Sequence, residues 1–308
     1  MDKHLIRTPD INKNKENMSN FSISRTVRTV RWSFVEERGY AIRTTIIITL
    51  LMTLFMTMMS IGSEPIFMAN ASNPETQRIM LFKMSRSFSF VCHGTYWFII
   101  LVGGSMMFRN MQTKQQRIAY MMLPASNVEK FVSRLVLVVL GGILMAVVSF
   151  LVSDLLQQLF MRYVYGQSHI GSYAMTLVTT LSDIAGRGVR AFDELGPTFS
   201  SYVTQAGLRD IFAGTSVNPG PFIIFYYCLG DLFDLSVFIF IGTLFRRHGW
   251  LFACVIYSLL KALIYLILPE SYFWLSLSVM LAGMVVLTWL SFRLFTRMQV
   301  INNKLLNI

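Results

Sequence analysis

Residues 132–152 read VSRLVLVVLGGILMAVVSFLV. Only Arg134, close to the start, is charged; everything after it is apolar or small. A helix that crosses the hydrocarbon of a bilayer needs about 20 consecutive apolar residues, and this stretch supplies them. Five further segments share the pattern: Thr44–Ile66, Phe88–Phe108, Pro221–Phe245, Trp250–Leu268 and Phe273–Phe295. The composition agrees, with 54% hydrophobic and 14% charged residues, against about 25% charged in ordinary soluble domains. The 308-residue chain is therefore expected to be an all-α, polytopic membrane protein with six transmembrane helices. A β-barrel would show short alternating segments. A cleaved signal peptide is not expected, because the first 43 residues are polar and the first apolar run is too long. Cys92, Cys228 and Cys254 all fall within spans, which points to buried free thiols and not to a disulfide framework.

The net charge of +11 would hint at nucleic acid in a soluble protein, but here the basic residues flank the spans. Basic loops stay cytoplasmic. Of 27 Lys and Arg, 19 fall on the side shared by the N-terminal segment, residues 109–134, Arg246–Arg247 and the tail, against seven on the other side. Both termini are expected to be cytoplasmic, and no nucleic-acid partner is expected.

Three domain-level segments follow. Residues 1–20 are polar and aperiodic and read as a disordered tail, with Met18 as a second candidate start. Within 21–43, Ile23, Val27, Val30 and Phe34 form a helical stripe with Arg25 and Arg28 facing away. This is either an amphipathic helix in the membrane interface or a solvated helix leading into the first span. Residues 44–308 form the six-span membrane domain, including an outer segment at 162–220. Loops of that length are uncommon, so short helices are expected at Ser172–Ala185 and Pro197–Phe212.

Residues 109–134 are the most informative cytoplasmic piece. Residues 113–123 suit a short helix that ends before Pro124, because the residue preceding a proline is pushed out of helical geometry. Ser126-Asn127-Val128-Glu129 then reads as a capping box, with each side chain accepting from the other's amide. A new helix is expected to start at Asn127 and run unbroken into the third span. The result is a helix–break–helix elbow, or else an ordinary well-capped loop.

Catalytic chemistry is not indicated. No glycine is followed by lysine, so a Walker A motif is excluded. His4, His93, His169 and His248 lack metal-ligand spacing, and no nucleophile elbow is present. No catalytic, cofactor or metal residues are assigned. Ionisable groups inside spans are costly and are usually paired or functional. Asp231 and Asp234 lie one turn apart in the fourth span, and Lys261 lies in the fifth. At 1.5 Å per residue, Asp231 and Lys261 sit about 14 Å and about 10 Å from the outer ends of their spans, so pairing between the two helices is expected. A structural ion pair and a charge relay both fit. His93 reads as a packing residue. Gly103-Gly104 and Gly141-Gly142 read as close helix contacts.

Met122-Leu123-Pro124-Ala125-Ser126-Asn127-Val128-Glu129-Lys130-Phe131-Val132-Ser133-Arg134 resembles a stretch found in permeases of type-two ABC transporters. There, a Leu-Pro-x-Ser segment with following acidic and basic residues lies between spans two and three. The order of parts, an interfacial helix, six spans and two cytoplasmic ends, also looks like that family, as does the tail from Trp289. The large outer segment between spans three and four differs from the family, which commonly places re-entrant helices between spans five and six. The resemblance implies the membrane subunit of an exporter in the bacterial inner membrane. Its partners would be a cytoplasmic ABC ATPase, a second permease chain and the lipid bilayer. It also implies that the elbow is the ATPase contact, docking through Lys114, Gln115, Arg117, Pro124, Ser126 and Glu129. The rival readings are a stand-alone ion-coupled transporter or channel working through Asp231, Asp234 and Lys261, and a non-transporting scaffold.

Overall fold

Every long apolar run becomes a helix in the computed structural model, which describes residues 21–70, 74–111, 114–164, 166, 172–187, 220–245, 248–267 and 273–297. The N-terminal 20 residues, the candidate helix at Pro197–Phe212 and the last 11 residues lie outside the described residues. In chain order the α-helices are α1 (Ile23–Asn70), α2 (Pro74–Ser105), α3 (Lys114–Met121), α4 (Asn127–Val164), α5 (Tyr173–Arg187), α6 (Gly220–Leu244), α7 (Gly249–Ile267) and α8 (Phe273–Arg297). A short 3-10 turn at Arg109–Met111 precedes α3. No strand occurs among the described residues.

The protein is an all-helical membrane protein. Five helices, α1, α2, α4, α6 and α8, are long and apolar enough to cross a bilayer, while α7 is apolar but shorter. Their surfaces give the physical reason. On α4, Leu140, Leu144, Val147, Leu151 and Leu155 face outward, whereas Ser149, Ser153 and Gln157 face inward and are buried. That polarity is inverted relative to a helix in water, and it is stable where the outer solvent is hydrocarbon and the inner polar groups find partners. The outward apolar face of α4 extends from Leu140 to Phe160, about 30 Å at 1.5 Å per residue, which matches the bilayer core.

Helix α6 is the centre. Its residues 233–239 are all buried, as expected for a helix that is hydrophobic all round, and it contacts α2, α5, α7 and α8. Gly242 makes this possible: a Cβ there would lie 2.1 Å from the Ser105 carbonyl oxygen at the end of α2. The turn from α6 to α7 is tight and holds His248 in the left-handed region at φ 57°. At the same end, Phe108, Phe131 and Phe295 pack together, with Phe108 and Phe295 stacked at 5.1 Å. Ser22 and Arg25 reach Glu129 there too, so the described ends of the chain meet at the elbow end of the bundle.

The segment 21–43 and the first span are one continuous helix, so residues 21–43 lead directly into the span. Its apolar residues Ile23, Val27 and Phe34 face outward, while Thr26, Thr29 and Ser33 pack inward. The two glycine pairs differ from the close contacts expected. Only Gly104 is tight, with its Cβ position 2.6 Å from Leu235; Gly103 and Gly141 face open space, and Gly142 stands 3.8 Å from Ile100.

Candidate functional site

The elbow is built as its sequence predicts, and its chemistry is local. Helix α3 ends at Met121, and α4 starts at Asn127 after Pro124. The Ser126 amide donates to Glu129 Oε2 at 2.8 Å, and the Glu129 amide donates to Ser126 Oγ at 3.3 Å. Such a cap contributes on the order of 1 kcal/mol. Lys130 then closes the break from the other side, its ammonium donating to the Met121 carbonyl at 2.7 Å. The Tyr120 hydroxyl donates to the Lys130 carbonyl at 2.8 Å. Burial raises the pKa of that phenol, against the opposing pull of the Arg134 guanidinium, so it keeps its donor proton.

Helix α1 braces this elbow through charge. Glu129 Oε1 accepts from the Ser22 amide at 2.7 Å and pairs with Arg25 at 3.0 Å. Arg134 is fully buried; it pairs with Glu37, approaches Glu36 at 3.8 Å and lies 4.8 Å over the Tyr120 ring. Arg109 covers the Tyr40 ring at 3.3 Å.

These contacts divide the six candidate docking residues. Arg117 is buried and donates to the Met111 carbonyl at 3.3 Å, and Glu129 is buried beneath Arg25. Neither presents its charge outward; both hold the elbow's shape. Gln115 and Pro124 are exposed and Ser126 is half-buried at the cap. Lys114 begins α3, but its side chain lies outside the described residues. The outward surface is instead largely apolar: Ile118, Met122 and Val128 are exposed, Met122 to 79%.

Between α6 and α7 the structure pairs Lys261 with Asp234 at 2.9 Å, and not with Asp231, the closer match by depth along the sequence. Asp234 also accepts from the Tyr257 hydroxyl at 2.6 Å. The difference is one helical turn, which the relative sliding of two helices sets and which residue counting along each helix does not fix. Asp231 is half-buried on the turn before. His93 faces outward and Cys228 is exposed, so neither is the packing residue or buried thiol expected. All three cysteines are free.

A second polar centre at the far end of the bundle was not anticipated. Asp154 accepts from the Tyr173 amide at 2.8 Å and from Ser172 Oγ at 2.6 Å, and so holds the start of α5. Ser153 donates to the Thr49 carbonyl at 2.9 Å and accepts from Tyr96 at 3.1 Å. Gln157 donates to Ser60 Oγ at 2.9 Å, which shares a 2.7 Å bond with Tyr173. The signal was available: Ser149, Ser153 and Gln157 recur every four residues in an otherwise apolar helix. Among the described residues, no three His, Cys, Asp or Glu side chains gather as a metal site.

Compared with protein-family models, curated proteins and solved structures, the chain matches none of them.

Proposed function

We propose that the chain is the membrane subunit of an ABC-type exporter. It would lie in the bacterial inner membrane as six spans with both ends cytoplasmic, work as a dimer and be driven by a separate ATPase. The observation that supports this is the elbow. A capped break at Pro124 is clamped to α1 by charge and continues without interruption into α4. A push on α3 or on residues 122–126 is thereby transmitted to a transmembrane helix, as coupling to a cytoplasmic motor requires. The resemblance of residues 122–134 to type-two ABC permeases supplies the class, and the missing Walker motif supplies the need for a partner. With Arg117 and Glu129 buried, the docking surface is Gln115, Ile118, Met122, Pro124 and Val128.

The experiment is co-purification of the tagged chain from its native membrane, where an ABC ATPase is the expected partner and finding none would sink the exporter reading. Met122→Asp changes an exposed side chain, so the chain should accumulate normally yet lose the ATPase and its stimulated turnover. Equal co-purification would remove the elbow from the mechanism.

The ion-coupled alternative has one observation in its favour: Lys261, 43% exposed at its side chain, connects the surface of the bundle to Asp234 and Tyr257. As a structural pair, Lys261→Met should lower abundance, and adding Asp234→Asn should restore it, because removing one partner strands the other charge. Normal abundance with loss of an ion-dependent flux would favour the relay.

A further inference from the structure

A cavity of about 390 Å³ lies between α1, α2 and α4, within the range of small-molecule sites. It follows α1 from Phe34 to Ile48, about 21 Å at 1.5 Å per residue. Its inner part is apolar, lined by Ile48, Ile99, Leu137 and Met145. Gly103 and Gly141 also line it, and a Cβ at either would meet nothing within 4 Å. The space is therefore real at these two positions and not a packing seam. Leu144 lines the cavity and also belongs to the outward apolar face of α4, so the cavity opens sideways toward the hydrocarbon.

The elbow end has a different character. Glu36, Glu37, Tyr40, Arg109 and Gln116 line it. Glu37 is engaged by Arg134, and Glu36 lies 3.8 Å from the same guanidinium. Arg109 is seated on the Tyr40 ring and exposed. Two carboxylates and one guanidinium line this end, and the buried Arg134 behind the carboxylates supplies the fourth charge, so the signs are separated without a net charge.

We propose that this cavity is a lipid site for a zwitterionic aminophospholipid. One acyl chain lies along the glycine-lined apolar part, the phosphate meets Arg109, and the primary ammonium meets Glu36. The charge pattern selects among lipids. An anionic headgroup without an amine would leave the exposed Glu36 unmatched beside its own negative charge, and a diacylglycerol would leave Arg109 unmatched. A primary ammonium also donates hydrogen bonds to a carboxylate, which a quaternary one cannot. Charge-assisted bonds of this kind are the strong ones. The site requires only the membrane setting and is independent of the exporter reading.

The test is native mass spectrometry of the full chain, extracted from nanodiscs holding equal amounts of phosphatidylethanolamine, phosphatidylglycerol and diacylglycerol with the same acyl chains. The wild type should retain one phosphatidylethanolamine with about tenfold preference over either competitor. Gly141→Leu should fill the cavity and lose that adduct while folding normally, since leucine favours a helix more than glycine does. Gly103→Leu provides the same obstruction from α2 and replaces it should the first variant not be monodisperse. Arg109→Gln and Glu36→Gln should each keep a bound lipid but lose most of the headgroup preference. Equal retention of the three lipids by the wild type would overturn the proposal. So would preference for phosphatidylglycerol, or undiminished binding in the folded glycine variants.

Discussion

The two ends of α4 hold the same neighbour by opposite means. At the elbow end, Arg134 and Glu129 clamp α1 through charges: Glu37 and Glu36 on one, Arg25 on the other. At the far end, α1 is held by neutral hydrogen bonds, Ser153 to the Thr49 carbonyl and Gln157 to Ser60, and the one carboxylate, Asp154, is spent on the start of α5. The helix is 38 residues long, about 57 Å, and so exceeds a hydrocarbon core of about 30 Å. Charges are tolerable where the helix emerges among headgroups and water. Within the hydrocarbon, neutral groups that satisfy each other cost less than ions. The two ends should therefore fail differently: a charged clamp loses its hold when one partner is removed, whereas a neutral network loses one bond at a time.

The comparison predicts unequal damage. Arg134→Met empties a fully buried position and takes the cation from Glu37, whose partial exposure lets water take over part of the loss, so the cost falls below the about 3–5 kcal/mol of a fully buried pair. Thermal unfolding of the purified protein should show this as the largest single loss of the set. Adding Glu37→Gln should recover most of it, whereas an unrecovered double variant would mean that Arg134 acts through Tyr120 and not through charge.

The far end should respond less. Asp154→Asn keeps the shape but turns one of the two acceptor oxygens that take three donors, from Tyr173, Ser172 and Gln158, into a donor. Leaving such donors poorly matched costs about 1–3 kcal/mol. Amide exchange should rise in α5 first and remain unchanged in the elbow. Equal exchange at both ends would erase the distinction between them.

Much of this architecture was legible, for reasons visible in particular residues. The start of α4 at Asn127 was readable to the residue because a capping box is a local device, complete within Ser126–Glu129. The α5 helix was readable from Ser172, whose hydroxyl accepts from the Met175 amide. What the sequence could not show was which side of a helix meets the others. In α1 the stripe of Ile23, Val27 and Phe34 is legible as one helical face, but that Thr26, Thr29 and Ser33 form the face that packs inward is not. The same inversion hid Asp154 and Gln157, which lie beyond the reading's third span and face inward. The pairing of α6 with α7 through Lys261 is legible, but that the partner is Asp234 and not Asp231 depends on one turn of sliding that leaves no trace in either helix alone. Gly242 carries a close approach that only the position of Ser105 reveals.

The smallest effect sharpens the contrast further. Gln157 is buried with its Oε1 unpartnered among the described residues, while its amide donates to Ser60. Gln157→Leu removes one bond worth about 1 kcal/mol but also removes an unsatisfied acceptor of similar cost. The two nearly cancel, and the unfolding midpoint should move little. A large loss would mean that the far end depends on its polar groups as strongly as the elbow end does.

The central claim is that α4 crosses the bilayer, with the elbow on one side and the start of α5 on the other. Met122, 79% exposed, marks the elbow, and Tyr163, 81% exposed, marks the far end. In a chain with Cys92, Cys228 and Cys254 replaced by serine or alanine, Met122→Cys and Tyr163→Cys are each treated with a membrane-impermeant maleimide in intact cells. Tyr163→Cys should label in intact cells, and Met122→Cys only after the membrane is permeabilised. Labelling of both from the same side would contradict the crossing and, with it, the elbow's place beneath the membrane.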